Sequence, residues 1–438
     1  MYRFACLISG FVVAAALVMA GPAFAKPDCG MNTGKPATGK PIPIGAVTSA
    51  SGIGSFQEAD LAVRAYFDCV NANGGIHGRP ILYRDKDDQS KVNVAQQAAQ
   101  SLVEDDGDYI LIGSTSFIEC LANSQYYIKM HILDIGEGIP PQCYESKNIA
   151  ELNAGPRQSA VGAVDYARRK LHVKSMVCVT YRLPGADYSC GSKSAPGGVY
   201  DWAKHFGIKE ISIYPDPSSP DFNSIILQIM ATGYQSVQLL FVDLQGTQLL
   251  NAAEQQDAAA KIDFTAPTSF YTTRFPSSID DKYWNNRLWI NTEAGPMYGK
   301  GKDNQNWVAV MNAYGKHYLR DSFSQLGYMG ARIAVRQMLT IKNPADINRA
   351  TVTKAIENMK PYDTDIVCGP WYWGGPAATR HQANHITRIW TIHNGKFKLV
   401  EGCYPDLDPG LKPIIAIEKK MGINKKYDAE YDAAMGYK

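Results

Sequence analysis

The chain has 438 residues, with 44 basic and 42 acidic side chains and a formal net charge of +2. This near balance disfavours a nucleic-acid partner and offers no special attraction to a membrane surface. Hydrophobic residues make up 45% of the chain, and its length suffices for two or three domains of roughly 100–200 residues each.

The N-terminus has the features of a secretory signal peptide. Arg3 supplies a positive charge, an apolar run extends from Leu7 to Met19, and Ala23-Phe24-Ala25 has the small-x-small pattern of a cleavage site. The apolar run is too short for a transmembrane helix, which needs about 20 apolar residues. We therefore expect residues 1–25 to be removed, leaving a mature protein without a lipid anchor that works outside the cytoplasm.

Eight cysteines follow the predicted cleavage site, and an even number favours disulfides in an exported protein. No two of them have the C-x-x-C spacing of a zinc or redox site. Cys178–Cys190 and Cys368–Cys403 are the pairs that we expect first, because each would join neighbouring elements.

The segment 26–41 is rich in Gly, Pro, Lys and Thr and is predicted to form a flexible leader. From Ile42 onwards, short apolar runs alternate with amphipathic segments, which predicts strands and helices in turn. The first predicted helix, 58–73, is followed by Gly74-Gly75, and glycine suits the left-handed conformation of a helix C-cap. The other predicted elements of this half are strands at 42–48, 80–84, 109–113 and 131–135 and a helix at 92–103.

The same alternation restarts near residue 157. It predicts helices at 157–171, 200–206 and 247–259, another helix after Asp221, and strands at 175–181, 210–214, 236–242 and 262–266. Two such series predict an α/β fold with two parallel sheets covered by helices. Ligands bind at the carboxyl ends of strands in such sheets, so a cleft between the two sheets is the expected site.

The last third of the chain adds predicted helices near 304–319, 326–340 and 348–358. The last predicted elements are two strands at 386–392 and 396–400. Asn394-Gly395 lies between these two strands and is a strong hairpin signal.

Patterns that resemble catalytic or metal motifs depart from them at essential positions. The glycine-rich segment 34–40 ends in Lys40 like a phosphate-binding loop, but Pro41 stands where a Ser or Thr must reach the metal ion. His381 and His385 have zinc-like spacing without the catalytic Glu, so a loop and strand start is favoured there. With no G-x-S-x-G elbow either, we expect no enzymatic activity, no cofactor and no metal, and binding becomes the default function.

Several segments, in the correct order, resemble leucine/isoleucine/valine-type periplasmic binding proteins. The most specific is 71–81, which has the pattern N-x-x-G-G-I-x-G-x-x-I in a strand–helix–strand context. The segments 84–88, 94–103, 368–370 and 389–397 are also similar to the family, so the resemblance spans roughly residues 42–405.

This resemblance implies the type I periplasmic binding protein fold, with two Rossmann-like parallel-sheet lobes joined by three crossovers that act as a hinge. By analogy, 42–156 and 292–385 form lobe 1, and 157–291 and 386–438 form lobe 2. The implied role is that of a monomeric periplasmic receptor that binds a small-molecule solute and docks on the permease subunits of an ABC importer. A ligand-sensing module with the same fold is the alternative.

The resemblance also implies where the ligand binds, namely on loops that follow the strands of both lobes. The implied ligand-binding residues are Phe56, Ser114, Thr115, Ser116, Phe117, Gly136 and Gly138 on the first lobe, and Arg157, Tyr188, Asp243 and Thr268 on the second. The three hydroxyls at 114–116 precede a helix start, where backbone N–H groups favour an anion. One of them could instead cap that helix.

The chain departs from the family pattern for amino-acid ligands, in which acidic residues surround the ligand ammonium. Arg157 and Thr268 occupy the matching positions, with Asp243 and Glu137 as candidate replacements. Arg157 could pair with a ligand carboxylate, or it could be a solvated residue of the first helical turn. Together with Phe56, Phe117 and Tyr188, it motivates the hypothesis that the solute is an anionic organic acid, such as an aromatic acid, rather than a branched-chain amino acid.

Overall fold

The computed structural model describes residues 26–52, 54–183 and 186–437, which form two α/β lobes with one sheet each. The predicted signal peptide lies outside the described residues. Within those residues, no helix has both the length and the apolar character that crossing a membrane requires.

The first lobe contains a four-stranded parallel sheet in the order β2-β1-β3-β4. The central strand β1 is buried almost throughout, as expected for a parallel strand covered by helices on both faces. The strands are β1 (Ile42–Thr48), β2 (Ile81–Asp87), β3 (Leu111–Ile112) and β4 (Asp134–Ile135), and the helices are α1 (Glu58–Ala72), α2 (Val92–Gln100), α3 (Glu119–Met130) and α4 (Pro141–Glu145).

The second lobe contains a seven-stranded sheet in the order β11-β10-β9-β8-β7-β5-β6. Strands β5 to β9 are parallel, whereas β10 and β11 add an antiparallel edge. The strands are β5 (Ser175–Thr180), β6 (Lys209–Ile213), β7 (Ser236–Leu240), β8 (Asp263–Ala266), β9 (Leu288–Thr292), β10 (Ile386–His393) and β11 (Lys396–Pro405). The helices between them are α5 (Gly155–Lys170), α6 (Ala186–Cys190), α7 (Gly198–Phe206), α8 (Phe222–Ala231) and α9 (Asp243–Gln255).

The predicted hairpin is confirmed, because both Asn394 and Gly395 have the positive φ that a two-residue turn of this kind requires. The remaining helices are α10 (Lys302–Tyr314), α11 (Ser322–Leu339), α12 (Arg349–Glu357), α13 (Lys412–Met421) and α14 (Lys425–Met435). Strand β9 and the last two helices, α13 and α14, were not predicted from the sequence.

Between β9 and β10 the chain leaves the second sheet and packs on the first lobe. Helix α11 is buried along most of its length and lies against α1. The contact needs glycine at Gly327, because a Cβ there would clash with the backbone oxygen of Ala59. The lobe boundaries near residues 156, 291 and 385 stay predictions.

The segment 26–41, expected to be a flexible leader, is instead attached to the first lobe. Cys29 forms a disulfide with Cys69 of α1, and the backbone N–H of Ala37 donates to the carbonyl of Asn71. Asp28 pairs with the buried Arg332 at 2.9 Å. Composition suggested mobility, but these long-range contacts hold the segment in place.

The two disulfides expected first, Cys178–Cys190 and Cys368–Cys403, are both present. The other four cysteines pair as Cys29–Cys69 and Cys120–Cys143. Each of these bridges joins residues that only the folded chain brings together, which is why spacing alone did not identify them.

Candidate functional site

A cavity lies between the two lobes and encloses about 750 Å³ of empty space, including the part open to solvent. Phe56, Phe117 and Ile139 line it on the first lobe and follow strands β1, β3 and β4. Phe323, at the start of α11, completes that wall. The cavity therefore meets the carboxyl ends of the parallel strands, where open α/β sheets bind ligands.

The opposite wall follows the same rule on the second lobe. Its residues come from the ends of β5, β7 and β8 and from the turns that follow these strands. They are Thr180, Tyr181, Leu183, Ala186 and Ser189 after β5, Leu240, Phe241, Val242 and Gln245 after β7, and Pro267, Thr268 and Ser269 after β8. Residues 153, 155 and 156, just before and at the start of α5, also line the cavity.

The walls of the cavity are mainly aromatic and aliphatic. The ring of Phe56 packs edge to face on Phe117 and Phe323, at centroid distances of 4.9 and 5.5 Å. Tyr181 and Phe241 form a similar pair at 4.9 Å on the second lobe. Among the described residues that line the cavity, none is Asp, Glu, Lys or Arg. Such a surface suits an apolar ligand body, whose burial contributes roughly 25 cal/mol per Å².

Few polar groups in the cavity are available to a ligand. The hydroxyl of Thr180 donates to Leu240, and that of Ser269 donates to Phe241, both at backbone oxygens. The hydroxyl of Thr268 lies 2.8 Å from that of Thr292. Gln245 differs, because its buried Oε1 has no hydrogen-bond partner among the described residues. It is the clearest polar contact that this cavity offers.

Three of the predicted ligand-binding residues, Phe56, Phe117 and Thr268, line this cavity. The three hydroxyls at 114–116 do not, because they bond within the first lobe. Ser114 accepts from the N–H of Val47, and the hydroxyl of Thr115 donates to the carbonyl of Gly113. Ser116 bonds Asp88 and accepts from the N–H groups of Ile118 and Glu119, just before and at the start of α3, so its hydroxyl is satisfied within the first lobe.

The two predicted glycines, Gly136 and Gly138, lie beside the cavity and not in its lining. The backbone of Gly136 accepts from Leu152, and the N–H of Gly138 donates to Glu151 at 2.7 Å. A Cβ on Gly138 would collide with Cys143. Close packing in the first lobe therefore accounts for glycine at this position, and Ile139 is the residue that reaches the cavity.

Arg157 is bound by its own lobe and does not line the cavity. Its Nε and Nη2 donate to Asp408 at 2.6 and 2.7 Å, and its Nη1 donates to the Tyr188 hydroxyl at 2.7 Å. Burial alone would raise the pKa of Asp408, but the Arg157 guanidinium outweighs it and lowers that pKa. Arg157 and the Tyr188 hydroxyl thus have protein partners, and the expected contact of Arg157 with a ligand carboxylate stays a prediction.

The candidate replacements for the ammonium-binding acids are also not in the cavity lining. Asp243 pairs with Arg274 at 2.6 and 2.8 Å and accepts from Thr272. Glu137 is fully buried, and neither of its carboxyl oxygens has a hydrogen-bond partner among the described residues. Burial, followed by repulsion from Asp321 and Glu293, raises the pKa of Glu137 well above its ordinary value. Glu137 also does not line the cavity, so it is not placed to hold a ligand ammonium there.

The raised pKa of Glu137 predicts that the protein is less stable at alkaline pH. A carboxyl with a higher pKa in the folded state binds more protons when folded, so stability falls as pH rises above the unfolded-state value. Buried Asp134 and Glu151, with pKa raised to about 8 for each, act in the same direction. We expect the melting temperature to fall between pH 5.5 and pH 8.5, and Glu137→Gln to reduce that fall.

Calorimetric melting curves at the two pH values would measure this effect. The exposed Glu357→Gln provides a matched control, which should keep the pH dependence of the wild type. An identical pH dependence in Glu137→Gln and the wild type would contradict the prediction.

Among the described residues, one buried group in the second lobe has the donors of a metal site. The Nδ1 of His385 lies 2.7 Å from Glu418, and its Nε2 lies 3.8 Å from Asp428. Glu418 also accepts from Tyr372 and Asn424, so hydrogen bonds already satisfy it. His381 contacts the backbone of Trp373 instead, so the two histidines do not form one site. None of these residues lines the cavity, and we assign no metal to them.

The sequence did not identify Phe323, Tyr181, Phe241 or Gln245 as site residues. Tyr181 and Phe241 directly follow β5 and β7, so their place at the strand ends was a usable signal. Phe323 reaches the cavity from α11, more than 180 residues beyond the first-lobe strands, and no local pattern marks it.

Comparison with solved structures gives the same architecture. A branched-chain amino acid transporter substrate binding protein from Streptococcus pneumoniae, in complex with isoleucine, matches with TM-score 0.66 and 16% identity, covering 83% of this chain and 100% of that chain. A solute binding protein of an ABC transporter from Rhodopseudomonas palustris, in complex with 3,4-dihydroxybenzoic acid, has TM-score 0.69, 16% identity and coverages of 84% and 99%. A fatty acid ABC transporter substrate-binding protein from Thermomonospora curvata has TM-score 0.72, 18% identity and coverages of 86% and 95%.

No protein of curated function matches the sequence significantly. The model of the periplasmic binding protein family matches residues 41–396, which is most of the chain. This match agrees with the two-lobed arrangement and with the segments that resembled the family in the sequence. The chain therefore belongs to the periplasmic binding protein family and has its type I fold.

Proposed function

We propose that this protein is the substrate-binding component of an ABC importer and that its solute is an apolar organic acid. The observation that carries the proposal is the uncharged, mainly apolar cavity between the lobes, at the carboxyl ends of both sets of parallel strands. A zwitterionic amino acid would need a counter-charge for its ammonium group. Among the described residues of the lining, no acid supplies one.

The solved relatives support a solute of this class without identifying it. The printed solutes of two proteins of similar fold are organic acids with an aromatic or aliphatic body, namely 3,4-dihydroxybenzoic acid and a fatty acid. A third binds isoleucine, so the fold itself does not decide between these solutes. The lining of this cavity favours the first two over the third.

We also propose that the protein works in the periplasm as a monomer and delivers its solute to permease subunits. The proposed hinge consists of the three crossovers near residues 156, 291 and 385. Hydrogen bonds join them to one another: the N–H of Ala154 donates to Glu293, and Gln382 donates to the carbonyl of Ala154. Such a connected hinge would let the lobes close on a ligand as units.

A ligand panel tests the proposed solute class. We expect octanoate or 4-hydroxybenzoate to raise the melting temperature and to bind at micromolar strength, because a ligand of the folded state stabilises it by RT ln(1 + [L]/Kd). Leucine should bind more weakly. Micromolar binding of leucine, with no heat from either apolar acid in calorimetry, would overturn the proposal.

Filling the cavity should abolish that binding. Ser269 lines the second-lobe wall, and Ser269→Trp would place an indole where the ligand body is expected. We expect affinity for the apolar acid to fall at least tenfold, since overlap prevents burial of the ligand. Ser277→Trp, at an exposed position outside the lining, is the matched control and should bind normally. Unchanged affinity in Ser269→Trp would show that the solute binds elsewhere.

A further inference from the structure

A second, smaller pocket adjoins the apolar cavity on the hinge side. Its empty space is about 280 Å³ when the part open to solvent is counted, and its enclosed part has room for about one water molecule or one carboxylate oxygen. Ile139, Gly155, Pro156 and Ser189 line both pockets, so the two spaces share a wall of the same residues. The smaller pocket differs in character, because its lining includes two arginines, Tyr188 and Gln382.

The two arginines, Arg157 and Arg380, differ in how many of their N–H donors have hydrogen-bond partners. Arg157 has three hydrogen bonds, two to the Asp408 carboxylate and one to the Tyr188 hydroxyl, and its charge is paired with Asp408. Arg380 has one hydrogen bond, from Nη2 to the Oε1 of Gln382 at 2.7 Å, and its buried Nε has no hydrogen-bond partner among the described residues. A guanidinium has five N–H donors, so Arg380 keeps donors available for an acceptor from outside the protein.

Among the described residues, no carboxylate forms an ion pair with Arg380 within 4.0 Å, although the Arg380 charge, after that of Arg157, helps to lower the pKa of Asp408. Asp408 is fully buried and is paired with Arg157. Glu145 also lines the pocket, but it is exposed, and no ion pair within 4.0 Å joins it to Arg380 among the described residues. A partly buried cation with an unpaired donor gains most from an anionic acceptor, because charged hydrogen bonds are about twice as strong as neutral ones.

We propose that this smaller pocket is an anion subsite, in which Arg380 binds the carboxylate of a solute whose apolar body fills the larger cavity. The inference rests on the proposed function and deepens it, since it makes the solute an amphiphilic acid with its charge at the hinge end. It also separates the roles of the two arginines: Arg380 contacts the solute, and Arg157 holds the wall through Asp408.

The position of the subsite connects it to the hinge. Gln382, which accepts from Arg380, donates to the carbonyl of Ala154 and to Gln158 on the first crossover and α5, both at 2.7 Å. A carboxylate on Arg380 would therefore lie where the third crossover meets the first. Gln382 thus positions Arg380 beside the cavity.

Binding of matched acids and amides tests the subsite. The probes are ω-phenylalkanoates from benzoate to 5-phenylpentanoate, each with its primary amide, measured by calorimetry on the full mature protein. We expect the wild type to bind at least one acid about tenfold more tightly than its amide, as a charged hydrogen bond implies. Arg380→Gln should bring that ratio close to one while leaving amide affinity within about twofold, and Arg380→Lys should retain part of the preference.

Two matched variants test whether an arginine other than Arg380 binds the carboxylate. Arg287 is exposed and lines neither pocket, so Arg287→Gln should keep the wild-type ratio. Arg182 is exposed and follows Tyr181 in the cavity wall. Loss of the ratio in Arg182→Gln with its retention in Arg380→Gln would overturn the subsite but leave the proposed function intact. Failure of the wild type to prefer any acid over its amide would likewise overturn the subsite, whereas the proposed function would fail only if octanoate and 4-hydroxybenzoate also did not bind.

Discussion

Asp408→Ala is expected to destabilise the protein by about 3–5 kcal/mol, because it leaves the buried Arg157 guanidinium without its counter-charge. Both oxygens of Asp408 accept from Arg157, and Oδ1 also accepts from the N–H of Gly410 at 2.7 Å. The pair joins the start of α5 to the chain that follows β11. Urea denaturation at pH 7 would measure the loss in the free energy of unfolding.

A second acid near the same arginine provides the control. Asp201 lies 3.7 Å from Arg157 and is about one-third exposed, so Asp201→Ala should cost less than about 1 kcal/mol. The double change Arg157→Met with Asp408→Leu should recover part of the stability, since it removes both charges together. If Asp408→Ala cost no more than Asp201→Ala, the importance assigned to the buried pair would be wrong.

Arg332→Met should destabilise the protein by about 3 kcal/mol, because the buried carboxylate of Asp303 loses its positively charged partner. Arg332 is 2% exposed on α11. Its Nε lies 3.3 Å from Asp303 of α10, and its Nη1 and Nη2 donate to the carbonyl and carboxylate of Asp28 at 2.9 Å. The substitution therefore also weakens the attachment of the N-terminal segment to the first lobe.

Arg336 lies one turn further along α11 and is exposed, which makes Arg336→Met a control on the same helix. It bonds the hydroxyl of Tyr362 at 3.0 Å, so its removal should cost less than about 1 kcal/mol. Hydrogen exchange of residues 26–41 should increase in Arg332→Met and not in the control. Equal exchange in the two variants would show that Arg332 does not hold this segment.

The fold was largely predictable because its signals are local. Apolar periods defined most strands and helices of both sheets, and Asn394-Gly395 defined the hairpin. Strand β9 and helices α13 and α14 were missed. Strand β9 has five residues, and a short apolar run cannot be assigned from periodicity alone.

The site was only partly predictable, because its side chains depend on partners that are distant in sequence. The loops that the family resemblance implies include Phe56, Phe117 and Thr268, and these three residues line the cavity. The sequence also contains Arg157 and Asp408, but nothing in it shows that residues 251 positions apart would pair. That pairing occupies the arginine that first suggested a carboxylate site.

The sequence by itself thus predicted the two-lobed α/β architecture, an export signal and two of the four disulfides. Only the tertiary structure decided which polar groups satisfy one another and which remain unpartnered beside the cavity or the smaller pocket. Arg380 and Gln245 keep unpartnered buried atoms among the described residues, whereas Arg157 does not. The physical reason is that secondary structure follows from neighbouring residues, while the pairing of buried charges follows from long-range packing.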